Sequence, residues 1–369
     1  MISAKPFLRA LATSALIAAA LGAAPRDKDW DDVRPGLTLE YPRDHGAHAR
    51  HQTEWWYLTG NVEDAAGRRF GYQFTIFRRG LDPEPLAEDA APLRARALYA
   101  GHLAITDVAG DTTHFAERLR RGAAPFASAS EEDLDLVLED WSLVRSESGS
   151  LVVAAADPAT GLALELELLP QKPLVLHGEG GYSRKGLDEG NASAYASWTR
   201  LASRGTLTVA GESHAITGDS WFDHEFGSSV LEDDVEGWDW FGLQLDDGRE
   251  LMAFYLRKED GSLSVVSAGT LVDGEGRVTP LLLADFRIET SARWTSPTTG
   301  TTYPASWNLK VPSQRIDLQL TPLVADCELH TGGSTGIVYW EGPVRIEGSA
   351  TGHGYAELTG YSGSMSGRF

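Results

Sequence analysis

In Leu162-Ala163-Leu164-Glu165-Leu166-Glu167-Leu168 every second residue is leucine, and the residues between are small or charged. That period fits a strand with one buried face rather than a helix. It recurs in Phe70-Gly71-Tyr72-Gln73-Phe74-Thr75-Ile76, in Trp307-Asn308-Leu309-Lys310-Val311 and in Ile316-Asp317-Leu318-Gln319-Leu320. Turn signals punctuate the runs: Asp246-Asp247-Gly248, Glu259-Asp260-Gly261 and Asp273-Gly274-Glu275-Gly276. Short strands at close intervals and abundant glycine predict an all-β chain, a sandwich or an antiparallel barrel. Pro83 to Leu98 and Ala127 to Leu138 are the candidates for short helical or loop insertions. Within the second, Glu131-Glu132-Asp133 suits a helix start or a solvated loop.

The chain also repeats itself. Trp55-Trp56-Tyr57-Leu58-Thr59-Gly60 leads through Gly67-Arg68 to an aromatic strand ending in Arg78-Arg79. Trp238-Asp239-Trp240-Phe241-Gly242 leads through Gly248-Arg249 to another, ending in Arg257-Lys258. Later, Trp221-Phe222-Asp223 corresponds to Tyr355-Ala356-Glu357. Each half thus runs from a Trp-rich hairpin to an aromatic-x-acid strand, which predicts two related β-lobes in tandem. The acidic, non-periodic Ser228–Glu236 reads as the boundary. The expected units are 38–228 and 229–369.

Residues 1–24 read as a signal peptide. Lys5 and Arg9 precede the uncharged apolar run Leu11 to Leu21, and Ala23-Ala24 suits cleavage. The expected location is therefore periplasmic or secreted. No later stretch is apolar enough to span a bilayer. There are 53 acidic against 32 basic residues, a formal charge of -21. That sign disfavours nucleic acid and anionic lipid as partners. Cys327 is the only cysteine. No intrachain disulfide can form, and its alternating surroundings read as a buried small hydrophobe.

The densest ionisable run is Asp219-Ser220-Trp221-Phe222-Asp223-His224-Glu225-Phe226-Gly227. On a strand, Trp221, Asp223 and Glu225 share one face while Phe222, His224 and Phe226 share the other. A carboxyl buried beside tryptophan gains pKa by desolvation, which suits a general acid. The competing reading is a structural carboxylate bonded to Arg200, Tyr195 or backbone amides. Trp55 and Trp56 are adjacent, so one of them must cover something other than the core. With Trp221, Trp238 and Trp240 they point to an aromatic pocket near the lobe boundary. His51, Glu54 and His102 are further polar candidates. With His224 they could converge, but no tight metal-ligand motif is present, and neither metal nor cofactor is expected. A nucleophile elbow and a phosphate-cradling loop are absent too.

These residues carry a family resemblance. His51-Gln52-Thr53-Glu54-Trp55-Trp56-Tyr57-Leu58-Thr59-Gly60 resembles the opening motif of the AttH-like proteins. These are often labelled secreted hydrolases and share a domain with carotenoid 1,2-hydratase (hydroxyneurosporene synthase). Gly101-His102-Leu103, Tyr195-Ala196-Ser197-Trp198-Thr199-Arg200, Trp221-Phe222-Asp223-His224-Glu225, Gly237-Trp238-Asp239-Trp240 and Tyr339-Trp340-Glu341-Gly342 extend the likeness to Tyr361. The resemblance implies two packed lipocalin-like (calycin) barrels and a hydrophobic small-molecule site. It implies Asp223 as proton donor; in a hydro-lyase a polar neighbour, His224 or Glu225, would then position the water. The candidates to surround an isoprenoid- or lipid-like ligand in that site are Trp55, Trp56, Tyr57, Tyr195, Trp198, Arg200, Trp221, Trp238 and Trp240. The carotenoid hydratases also use an upstream His-x-Trp. Here the region reads Ala196-Ser197-Trp198, so that histidine is missing. A hydro-lyase, a non-catalytic periplasmic carrier and a secreted hydrolase all stay open at this level. The partner expected is a hydrophobic small molecule; the oligomeric state is not read.

Overall fold

The computed structural model describes residues 29–85, 95–228 and 231–366. The signal-peptide stretch 1–24 lies outside them, as does most of the Pro83–Leu98 insertion. Among the described residues the only helical pieces are three-residue 3-10 turns at Arg43–His45, Leu283–Asp285 and Pro312–Gln314. The expected insertion at Ala127 to Leu138 is instead a small hairpin, Ala127–Ala129 with Asp135–Leu138. Its buried Leu136 and Leu138 join the core, and burial outweighs the local acidic run.

Two curled antiparallel sheets make up the molecule, each lipocalin-like. In the first, the order is Thr112–Arg121, Ala97–Asp107, Arg69–Gly80, Thr53–Asp64, Glu212–Gly227, Ala192–Val209, Leu162–Pro170 and Leu151–Asp157, followed by three short strands. The second runs Val278–Leu282, Ala268–Val272, Glu250–Lys258, Val235–Leu245, Gly352–Leu358, Val338–Gly348, Ile316–Pro322, Thr302–Val311 and Arg287–Thr295. The orders correspond strand for strand, save that the first sheet ends in two further short strands. The register matches as well: Tyr57 pairs with Asp223, which pairs with Ser197. In the second sheet Trp240 pairs with Glu357, which pairs with Glu341. Asp223 and Glu357 are thus equivalent positions of a structural repeat.

Period-two alternation decides what each strand buries. Phe70, Tyr72, Phe74 and Ile76 enter the first lobe's core with Leu164, Leu166 and Leu168. Trp307, Leu309, Val311, Ile316, Leu318 and Leu320 enter the second lobe's core. A third apolar cluster lies between the sheets and draws from both, including Tyr57, Tyr195, Trp221, Trp240, Phe254 and Tyr355. Cys327 is buried in the second core, and burial pushes its thiol up to about 12, so it stays a protonated, unreactive filler. No helix among the described residues is long and apolar enough to cross a membrane.

Candidate functional site

The cavity between the sheets is built from the strand faces turned away from the two cores. Trp55, Tyr57, Gln73 and Phe77 come from the first hairpin, and Trp238, Trp240, Phe254 and Leu256 from the second. Asp223, Glu225, Lys185, Tyr339, Glu341 and Glu357 add the polar groups. The room these side chains enclose is about 100 Å³; the empty space reaches about 910 Å³ only when the open mouth is counted.

Asp223 is 3 % exposed and takes three hydrogen bonds. The Tyr195 hydroxyl donates to Oδ2 at 2.7 Å, Trp221 Nε1 donates to Oδ1 at 2.6 Å, and the Ser197 hydroxyl donates to Oδ1. Three donors favour the carboxylate, yet burial outweighs them and pushes this carboxyl from 3.8 up to about 7. Behind Ser197 stands His177. Its Nε2 lies 2.7 Å from the Ser197 hydroxyl and its Nδ1 2.9 Å from that of Thr270. Burial pushes the imidazole down to about 3, so it is neutral. Glu225 is bonded by the Ser193 hydroxyl and paired with Lys185 at 3.1 Å. The Lys185 ammonium lies 4.4 Å from the centre of the Phe254 ring. Across the interface Tyr57 donates to Glu341 Oε1 at 2.5 Å, and Trp240 Nε1 donates to the Tyr195 hydroxyl at 3.0 Å. Each lobe therefore completes the polar shell of the other.

The sequence candidates divide by strand face. Asp223, Glu225, Trp55, Tyr57, Trp238 and Trp240 line the cavity, and Tyr195 and Trp221 hold Asp223 from its rim. His224 does not join them. It stacks on Trp56 at 4.9 Å on the other face, so it cannot position water at Asp223. Trp56 and Trp198 fill the first lobe's core. Arg200 bonds Glu250 at 2.7 Å and Asp219 at 3.1 Å, not Asp223. His102 sits behind the wall, with Nδ1 3.0 Å from the Tyr339 hydroxyl.

His51, Glu54, His102 and His224 do not converge as a set. Glu54 and His224 do meet, but with His48, which the sequence pattern does not single out. Glu54 Oε1 lies 2.8 Å from His48 Nδ1 and 3.0 Å from His224 Nε2, and the three ligating atoms fall within 4.8 Å of one another. His51 only borders this group, its ring 4.9 Å from that of Phe226. The donors are spoken for: His48 Nε2 faces Asp44 at 3.2 Å, and Arg78 lies 3.5 Å from Glu54 Oε2. Burial would raise the Glu54 carboxyl, but bonds from His224 and His48 hold it below the usual range. Burial would lower His48, but its two carboxylate partners raise it. The cluster balances its own charge and reads as a buried structural network on the far face from the cavity.

Lys185, His177, Glu341 and Glu357 are missed as site residues by the sequence reading. For Glu357 the signal is present in the repeat, as the counterpart of Asp223. For the lone Lys185 and His177 no local pattern exists; the fold brings Lys185 to the cavity and His177 behind Ser197.

A family profile described as AttH-like matches residues 32–361. The crystal structure of a Nitrosomonas europaea protein assigned as an AttH shares 34% identity and a TM-score of 0.81, covering 90% of this chain and 99% of that one. Kievitone hydratase from Nectria haematococca superposes with a TM-score of 0.66 at 15% identity, over 91% of this chain and 97% of its own. CghA bound to Sch210972 gives 0.54 at 11% identity, over 92% and 97%. These last two share the fold. No curated protein sequence matches the chain.

Proposed function

The chain belongs to the AttH-like family, and from that premise we propose that it is a hydro-lyase acting on an apolar, alkene-bearing small molecule held between the lobes. The observation that carries this reading is Asp223, a buried carboxyl on an aromatic wall whose proton is held up to about 7. A general acid works best with a pKa near the working pH. Asp223 would deliver its proton to one alkene carbon. Positive charge then develops on the neighbouring carbon, among the rings of Trp55, Trp238 and Trp240. Water adds there, and the proton it loses restores the acid; the sum is alkene plus water to alcohol. Ser197 and His177 are positioning residues, fixing the Asp223 oxygen that receives two donors. A fold shared with a kievitone hydratase supports the choice of reaction class.

Native mass spectrometry of the purified protein would reveal a copurified apolar ligand. Hydration of an acyclic isoprenoid alkene, followed by label from heavy-oxygen water, tests the chemistry. Asp223→Asn is expected to lose about 10²-fold or more in rate. Equal rates in the two proteins would overturn the acid's role. Ligand retained by both proteins with no turnover in either would establish a carrier instead. Export is part of the same proposal and rests on the sequence of residues 1–24. An N-terminus beginning just after Ala24 in periplasmic protein is its expected signature; retention of Met1 would contradict it.

A further inference from the structure

Glu341 and Glu357 stand directly opposite each other on neighbouring strands, and both face the cavity. Like charges so placed destabilise a sheet. The equivalent position in the first lobe is Ser197, whose hydroxyl donates to Asp223. The repeat has therefore replaced a donor with a second acid. Burial and then the charge of Glu357 push Glu341 well above the carboxylate range. Burial also pushes Glu357 up to about 7, aided by Glu225 and Asp223.

One oxygen of the pair lacks a donor. Glu341 is 2 % exposed, yet its Oε2 has no hydrogen-bond partner. Hydrogen bonding from Tyr339, whose hydroxyl also meets His102 Nδ1 at 3.0 Å, lowers Glu341, and hydrogen bonding from Trp238 lowers Glu357, but burial outweighs both. Gln73, 1 % exposed and lining the same cavity, leaves its Oε1 unpartnered as well. Two buried acceptor oxygens without donors thus face one space. Among the described residues the only cation lining that space is Lys185, already paired with Glu225. Trp55, Tyr57, Phe77, Trp238, Trp240 and Phe254 supply the rest of the wall. Aromatic rings combined with carboxylates are the surroundings that recognise an organic cation.

We propose that Glu341 and Glu357 form a seat for a positively charged carbon or nitrogen centre on an otherwise apolar ligand, held within the aromatic wall. The charge is either resident on the ligand, as an ammonium, or develops on it during reaction. The inference rests on the cavity being a ligand site and names the chemistry that site selects. Seating a cation ionises the pair, so binding releases protons. The groups facing the pair are Tyr57 and Tyr339 beside Glu341, with Asp223, Glu225 and Lys185 across the cavity.

The test uses decyltrimethylammonium, decanol and decyl sulfate at constant ionic strength, read by tryptophan fluorescence and calorimetry. The ammonium is expected to bind roughly tenfold or more tightly than decanol at about pH 8, with a smaller preference at about pH 6. Calorimetry in buffers of different ionisation heat should show proton release on ammonium binding. Glu341→Gln and Glu357→Gln should each reduce the preference while decanol binding persists. Equal affinity for decanol, or absence of proton release in the wild type, overturns the seat but leaves the ligand site standing. A preference surviving both substitutions also overturns it, since that is the general pull of a chain of charge -21. Binding of none of the probes overturns the seat and the ligand site together. Isoprenoid turnover inhibited competitively by the ammonium assigns the charge to the reaction. Tight ammonium binding without turnover assigns it to the resting ligand.

Discussion

At the scale of the residue, the outcome turns on one carboxyl and what surrounds it. Asp223 has three donors and no cation in contact, and desolvation still wins. Between about pH 3.8 and 7 the folded chain keeps this proton while the unfolded chain has released it. The folded state therefore binds more protons, and stability falls as pH rises through that window, levelling off above it. The full penalty is on the order of 4 kcal/mol. Asp223→Asn cannot titrate, so its melting temperature should gain on the wild type as pH rises from about 4 to 8. Parallel melting curves across that range would show that burial does not hold the proton. That the acid shares a face with Trp221 was legible from spacing alone. Tyr195 was among the partners the sequence offered; that Ser197 joins it and Arg200 does not was not legible, because those contacts cross strands.

At the scale of the element, the strand face decides role. Glu212–Gly227 divides its side chains between the cavity and the first lobe's core, which is why His224 and Asp223, adjacent in sequence, serve different networks. The one irregularity that redirects a candidate lies in Ala192–Val209. Pairing with the Asp223 strand slips between Trp198 and Leu201, a bulge. Arg200 sits in that bulge and turns toward the second lobe, where it meets the fully buried Glu250, shared with Lys172. Arg200→Met leaves that carboxylate with one cation instead of two. A loss of about 1.5–3 kcal/mol is expected, the worth of a hydrogen bond to a buried charge that Lys172 still neutralises. Urea unfolding would measure it, and a loss below about 0.5 kcal/mol would mean Lys172 suffices. Alternation gives no warning of a bulge, and so none that Arg200 leaves the pocket.

At the scale of the whole molecule, the two sheets meet through faces that neither core uses. A ligand seated there touches strands of both. Supplied at a hundredfold excess over its Kd, it should stabilise the chain by about 2.7 kcal/mol. Calorimetry should show any separate transitions of the two lobes rising together. A rise in only one of them would place the ligand inside a single lobe. The sequence by itself determined the strand class, the tandem repeat, the division of each strand into two faces and the equivalence of Asp223 with Glu357, because all of these follow from spacing along one chain. Only the tertiary structure decided which faces meet across the lobe boundary. It set Glu341 opposite Glu357, brought Lys185 to the cavity and His177 behind Ser197, and withdrew His224, Trp198 and Arg200 from the cavity. Those outcomes depend on register, on a bulge and on the packing of one sheet against another, and each joins residues far apart in the chain through contacts that no local period encodes.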